Sequence, residues 1–116
     1  MARKIKWHRI AGNISELEFA NNNIAVASCS NKQICVAHHK DKLYAFAYKC
    51  PHASGLLANA DIDPLGNLVC PLHRYKYSME NGRNVSGEGY YLKTYPIETR
   101  DDGIYVGMEE PGLFGF

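Results

Sequence analysis

An all-β domain of short antiparallel strands is the fold this sequence predicts. Short runs rich in Val, Ile, Tyr and Phe recur along the chain, and turn-forming clusters separate them about every ten residues. No segment sustains the 3.6-residue apolar period of a long helix. Together these features indicate a sandwich or barrel closed by hairpins.

Taken in order, the first strand is Lys4 to Ile10, with Ile5, Trp7 and Ile10 as its apolar positions. A short helix is possible near Ser15 to Ala20, after which Asn21-Asn22-Asn23 turns the chain into the β-branched run Ile24 to Ser28. Gln33 to His39 and Lys42 to Tyr48 form a hairpin turned at Lys40-Asp41, with Leu43, Ala45 and Ala47 on one face and Tyr44, Phe46 and Tyr48 on the other. Later strands are Asn67 to Cys70, Tyr75 to Met79, Tyr91 to Glu98 and Gly103 to Met108. The clusters Asp63-Pro64-Leu65-Gly66, Glu80-Asn81-Gly82, Ser86-Gly87-Glu88-Gly89 and Asp101-Asp102-Gly103 supply the turns. The tail from Glu109 to Phe116 is expected to pack back on the sandwich.

With 116 residues, 46% apolar and 22% charged, the chain has the composition of one folded globular domain. A formal charge of +1 gives no reason to expect a nucleic-acid partner. The longest apolar stretch, Leu43 to Tyr48, is far too short to cross a bilayer. The opening MARKIKWHRI lacks an apolar core and a small-residue cleavage site, so no secretory signal is expected. A cytoplasmic location follows, where the four cysteines stay reduced or bind metal. No Gly-x-Gly-x-x-Gly is present, so direct nicotinamide binding is not expected. Nor does any nucleophile–base pair point to an enzyme in its own right.

Residues 49–90 differ from the rest: they are loop-rich and carry Cys50-Pro51-His52 and Cys70-Pro71-Leu72-His73, with 17 residues between His52 and Cys70. Each half offers one thiolate and one imidazole. Two metal sites suit such a set: a tetrahedral zinc bound by all four, or a binuclear iron–sulfur cluster with two ligands on each iron. Spacing favours the second, because Cys₂His₂ zinc sites usually put both cysteines in one hook and both histidines in the other. Cys29 and Cys35 lie in strand-like runs without ligand spacing and read as buried thiols. His8, His38 and His39 read as surface or capping residues. Lys49, Arg74 and Lys76 adjoin the candidate ligands, either as a solvated rim or as a docking collar for an acidic redox partner.

At this point the sequence resembles the Rieske family, whose pattern is Cys-x-His, fifteen or more residues, then Cys-x-x-His. The likeness includes the proline after each cysteine, the strand Lys42-Leu43-Tyr44-Ala45-Phe46 and the closing segment from Leu92 to Val106, and it covers Ile34 to Met108. It implies a Rieske-type antiparallel β-sandwich, a single domain over 1–116. Its base would be 1–47 and 91–116, with a cluster-binding subdomain at about 48–90 inserted. By the same resemblance Cys50 and Cys70 bind one iron of a [2Fe–2S] cluster, and His52 and His73 bind the other. The implied function is one-electron transport between a reductase and a terminal oxygenase or similar oxidoreductase. The alternatives are a small subunit of an NAD(P)H-dependent nitrite reductase-like enzyme and a zinc-stabilised binding module.

Departures from the family pattern refine this. Respiratory members carry a disulfide between the two loops, at positions that here are Gly55 and Leu72, so the chain is similar to the soluble ferredoxin-like branch. The resemblance places the residues that tune the cluster by hydrogen bonds to its sulfurs at Tyr75, where high-potential members have serine, and Tyr77, where a hydroxyl is retained. Arg74 replaces the glycine that usually follows the second histidine.

Overall fold

A computed structural model describes residues 5–51, 55–72, 74–87 and 89–109. The tail beyond Glu109, expected to pack on the sandwich, lies outside the described residues. Ten strands occur there: β1 (Ile5–Ala11), β2 (Ile24–Cys29), β3 (Lys32–His39), β4 (Lys42–Ala47), β5 (Asp61–Ile62), β6 (Asn67–Val69), β7 (Lys76–Ser78), β8 (Thr94–Tyr95), β9 (Ile97–Arg100) and β10 (Gly103–Glu109). They form three sheets, ordered β1-β10-β9, β2-β3-β4-β8 and β5-β6-β7, and every pairing is antiparallel. The all-β antiparallel architecture expected from the sequence is the one observed.

The sheet of β2, β3 and β4 is buried on both faces, and that position organises the molecule. Ile34, Val36 and Ala45 pack with Ala11, Ile104 and Val106 of the β1-β10-β9 sheet. Cys35, Ala37 and Phe46, which point the other way, pack with Leu57, Leu68, Cys70 and Tyr77. Alternation along each strand thus feeds two cores, and the run Ile34-Cys35-Val36-Ala37 is continuously apolar because both faces are covered. Cys35 is fully buried and Cys29 nearly so, both free thiols as expected. Desolvation pushes the Cys35 thiol up to about 12.

Two tight hairpins set the register. Ser30 and Asn31 link β2 to β3 with φ of 52° and 65°, and Lys40 and Asp41 link β3 to β4 with φ of 50° and 64°. Positive φ at both central residues gives the turn whose twist matches the strands.

Several boundaries differ from the sequence reading. The expected helix near Ser15 is a single 3₁₀ turn, Ile14–Glu16, capped by the Asn13 carboxamide accepting from the Ser15 N–H. Leu17 then turns extended and enters the core, so tertiary burial ends a helix too short to propagate. The expected strand from Tyr91 to Glu98 is two strands: β8 pairs with β4 and β9 with β10, and the chain changes sheets at Pro96. Proline has no N–H to continue a ladder, while its carbonyl accepts from the Gly107 N–H at 2.9 Å. Strand β5 was not expected, since two residues carry no period.

Candidate metal centre

The third sheet and the end of β4 present two loops of matching construction. Lys49 and Leu56 form an antiparallel bridge, and the Cys50 N–H donates to the Gly55 carbonyl at 2.9 Å. On β6 and β7, Val69 and Lys76 are paired, and the Cys70 N–H donates to the Tyr75 carbonyl at 2.8 Å. The two closing bonds, Cys50 to Gly55 and Cys70 to Tyr75, span the same number of residues, and in each a cysteine's own amide ties the loop shut. The proline after each cysteine sits in the tip, where no ladder N–H is required.

Both tips bring their cysteines to one buried spot. Cys50 is 5% exposed and Cys70 is fully buried, and the two thiols lie near enough to influence each other. Desolvation first, then the Cys50 thiol, push the Cys70 thiol up to about 11, while the Leu72 amide pulls the other way. The fully buried Tyr77, on β7, places its hydroxyl 3.4 Å from Cys50 Sγ. Burial and the neighbouring Cys50 raise the phenol's pKa, so Tyr77 keeps its proton and can donate it to a thiolate. Two adjacent buried thiols, with ionisation of Cys70 disfavoured by its burial, are a donor set that a cationic iron centre stabilises. The residues present fit a [2Fe–2S] cluster in that respect. His52 and His73, the other two expected ligands, lie outside the described residues.

Tyr75 is half-buried and packs on the core beneath the centre, its ring 6.1 Å from that of Tyr90. Arg74 occupies the left-handed region, φ 57°, a conformation that suits the glycine expected there from the family resemblance. Its guanidinium reaches Asp61 at 3.5 Å, and Lys76 lies 3.7 Å from Asp63. Two of the three cations expected around the site are thus paired with β5 and the turn after it. Gly55 and Leu72 are neighbours: a Cβ built on Gly55 would sit 3.2 Å from Leu72 Cγ. Sequence reasoning missed Asp61 and Asp63, because nothing local marks them as partners of the second loop. A separate groove of about 530 Å³ runs between the β9–β10 turn and the β3–β4 hairpin, and no residue of either tip lines it. Among the described residues, no helix is long and apolar enough to cross a membrane.

Comparison with known proteins agrees with this geometry. The family model described as "Rieske [2Fe-2S] domain" matches residues 7–96. The ferredoxin component of an alkene monooxygenase system from Xanthobacter autotrophicus is 23% identical over 77 residues, 66% of this chain and 63% of that protein. The match thus spans less than two-thirds of that relative's length. A chain from the complex of reduced oxygenase and oxidised ferredoxin in carbazole 1,9a-dioxygenase superposes with TM-score 0.73 at 20% identity, over 89% of this chain and 94% of that one. A candidate NADH-dependent nitrite reductase small subunit from Mycobacterium tuberculosis gives TM-score 0.73 at 14% identity, over 90% and 96%. At these identities the structural likeness establishes the fold, and the family model establishes the membership. The chain belongs to the Rieske [2Fe–2S] domain family, and its cofactor is a [2Fe–2S] cluster.

Proposed function

We propose that this protein is a one-electron carrier whose cluster is held by Cys50 and Cys70 on one iron and by His52 and His73 on the other. The observation that carries the reading is the pair of buried cysteines in one core, each at the start of a loop that its own amide closes. When bound, the cluster supplies reversible uptake and release of one electron. The chain's own residues do the rest. Cys50 and Cys70 are held as thiolates by the metal charge, and the Tyr77 hydroxyl donates to Cys50 Sγ. The core formed by Phe46, Leu57, Leu68 and Tyr77 excludes water from the sulfur side. The curated relative is a ferredoxin component of an oxygenase system, which supports a carrier that is not itself a catalyst.

Its partners in this reading are redox proteins: a reductase upstream and a terminal oxygenase or similar oxidoreductase downstream, in a reducing cytoplasm. The oxygenase–ferredoxin complex among the structural neighbours supports such docking. Membership of a nitrite reductase-like enzyme as a small subunit is the second reading, favoured by an equally good superposition. Co-purification separates the two: a carrier elutes free of its partners, a subunit with a larger chain. The ligand set is tested by Cys50→Ser and Cys70→Ser. Each is expected to abolish cluster assembly or leave a labile centre, and a wild-type spectrum in both would show that other residues hold the metal.

A further inference from the structure

The geometry points to Leu72 as a positioning residue: its side chain closes the seam between the two loop tips over Cys70 Sγ and so limits the water that reaches the centre. The inference rests on the reading above that Cys70 holds the cluster. At Gly55 the two tips meet. A Cβ there would lie 3.2 Å from Leu72 Cγ, 3.3 Å from Leu72 Cδ1 and 3.4 Å from Cys70 Sγ. The Gly55 backbone is not among the positive-φ positions, so this glycine supplies room and not a special dihedral. Leu72 fills that room while remaining 43% exposed, with Cys70 fully buried beneath. One side of the leucine therefore meets solvent and the other meets Gly55 beside the sulfur.

The physical consequence concerns charge. Reduction adds one negative charge to the centre, and water stabilises the more highly charged state better than apolar side chains do. A side chain that keeps water from Cys70 Sγ therefore holds the potential down and protects the sulfur ligand.

The test is a set of potentials and cluster lifetimes on the loaded protein. Leu72→Ala is expected to raise the potential, seen as a several-fold higher reduced-to-oxidised ratio at a fixed poise, and to bleach faster. Gly55→Ala, on the other loop, should shift the potential in the same direction by displacing the leucine. The two substitutions combined should shift it by less than their sum, because they disrupt one contact. Leu72→Met keeps the volume and should restore the wild-type value. If Leu72→Ala does not load, Leu72→Val, which is one methylene shorter, replaces it in the series. A loaded variant whose potential is unchanged or lower overturns the shielding role, as does full additivity. Wild-type protein without iron and sulfide would instead overturn the reading of the centre itself, a result distinguishable from either.

Discussion

Tyr77 places its hydroxyl 3.4 Å from Cys50 Sγ, and in the proposed reading that contact tunes the cluster. Its hydroxyl on Cys50 Sγ stabilises negative charge at the sulfur, more so after reduction. Tyr77→Phe should therefore lower the potential by roughly 40 mV, if the bond is worth about 1 kcal/mol and one electron corresponds to about 59 mV per tenfold change. Protein-film voltammetry of both proteins measures this, and an unmoved potential would remove Tyr77 from the tuning set. Arg74 offers a test of backbone strain. Its φ of 57° costs a side-chain-bearing residue about 1 kcal/mol, while its ion pair with Asp61, both side chains 67% exposed, returns less than that. Arg74→Gly is expected to melt at the wild-type temperature or slightly above, and Arg74→Val to lose about 1 kcal/mol or more. Thermal denaturation distinguishes them. Cys35 adds a pH dependence with a definite sign. Below its ordinary value of 9.0 the thiol is protonated in both the folded and the unfolded chain. Between there and about 12 only the unfolded chain ionises, so folding stability falls as pH rises. Cys35→Ala should remove up to about 1.4 kcal/mol per pH unit from that slope in denaturant titrations. Of these features, Tyr77 was singled out by the family resemblance, and the contact of its hydroxyl with Cys50 Sγ came from the fold. The strain at Arg74 and the pairing with Asp61 were not, since both depend on where β5 lies.

At the scale of elements, the segment from β7 to β8 is fastened by a glycine that nothing else can replace. The Gly82 N–H donates to the Ser78 carbonyl, and the Gly82 carbonyl accepts from the Leu92 N–H, both at 2.8 Å. Its φ is 77°, and an added Cβ would fall 1.9 Å from the Leu92 carbonyl oxygen. Gly82→Ala should destabilise by at least about 2 kcal/mol, because a dihedral penalty and a backbone clash add. Gly87→Ala is the control: φ is 89°, yet nothing lies within 4 Å, so only the dihedral penalty of about 1 kcal/mol remains. Equal melting temperatures for the two variants would contradict the close approach at Gly82. Strands paired over many residues were the legible ones. The phase slip from Trp7 to Ile10 in β1 corresponds to a register shift between Arg9 and Ala11 opposite β10, so even that irregularity had a trace in the sequence. The sheet change at Pro96 and the two-residue β5 left weaker traces, because long-range pairing and not local pattern creates them.

Across the whole molecule, the two-faced middle sheet joins a base core to the core beneath the loop tips, where Cys50 and Cys70 pack with Cys35, Ala37 and Phe46. The mixed Cys/His hooks were legible at once, since metal chemistry constrains residue type and spacing more tightly than packing does. The equal length of the two tips and the meeting of Gly55 with Leu72 required the fold. With Tyr75 in place of serine and no disulfide across the tips, the expected potential lies in the lower half of the range known for Rieske centres, about −150 to +300 mV. Metal and sulfide analysis of the purified protein, with EPR of the dithionite-reduced form, decides whether the centre is a mixed-ligand cluster. The expected result is a coloured protein with two irons and two sulfides per chain, and a reduced signal of low average g from mixed thiolate and imidazole ligation. Colourless protein holding a single zinc, with no signal on reduction, would contradict it.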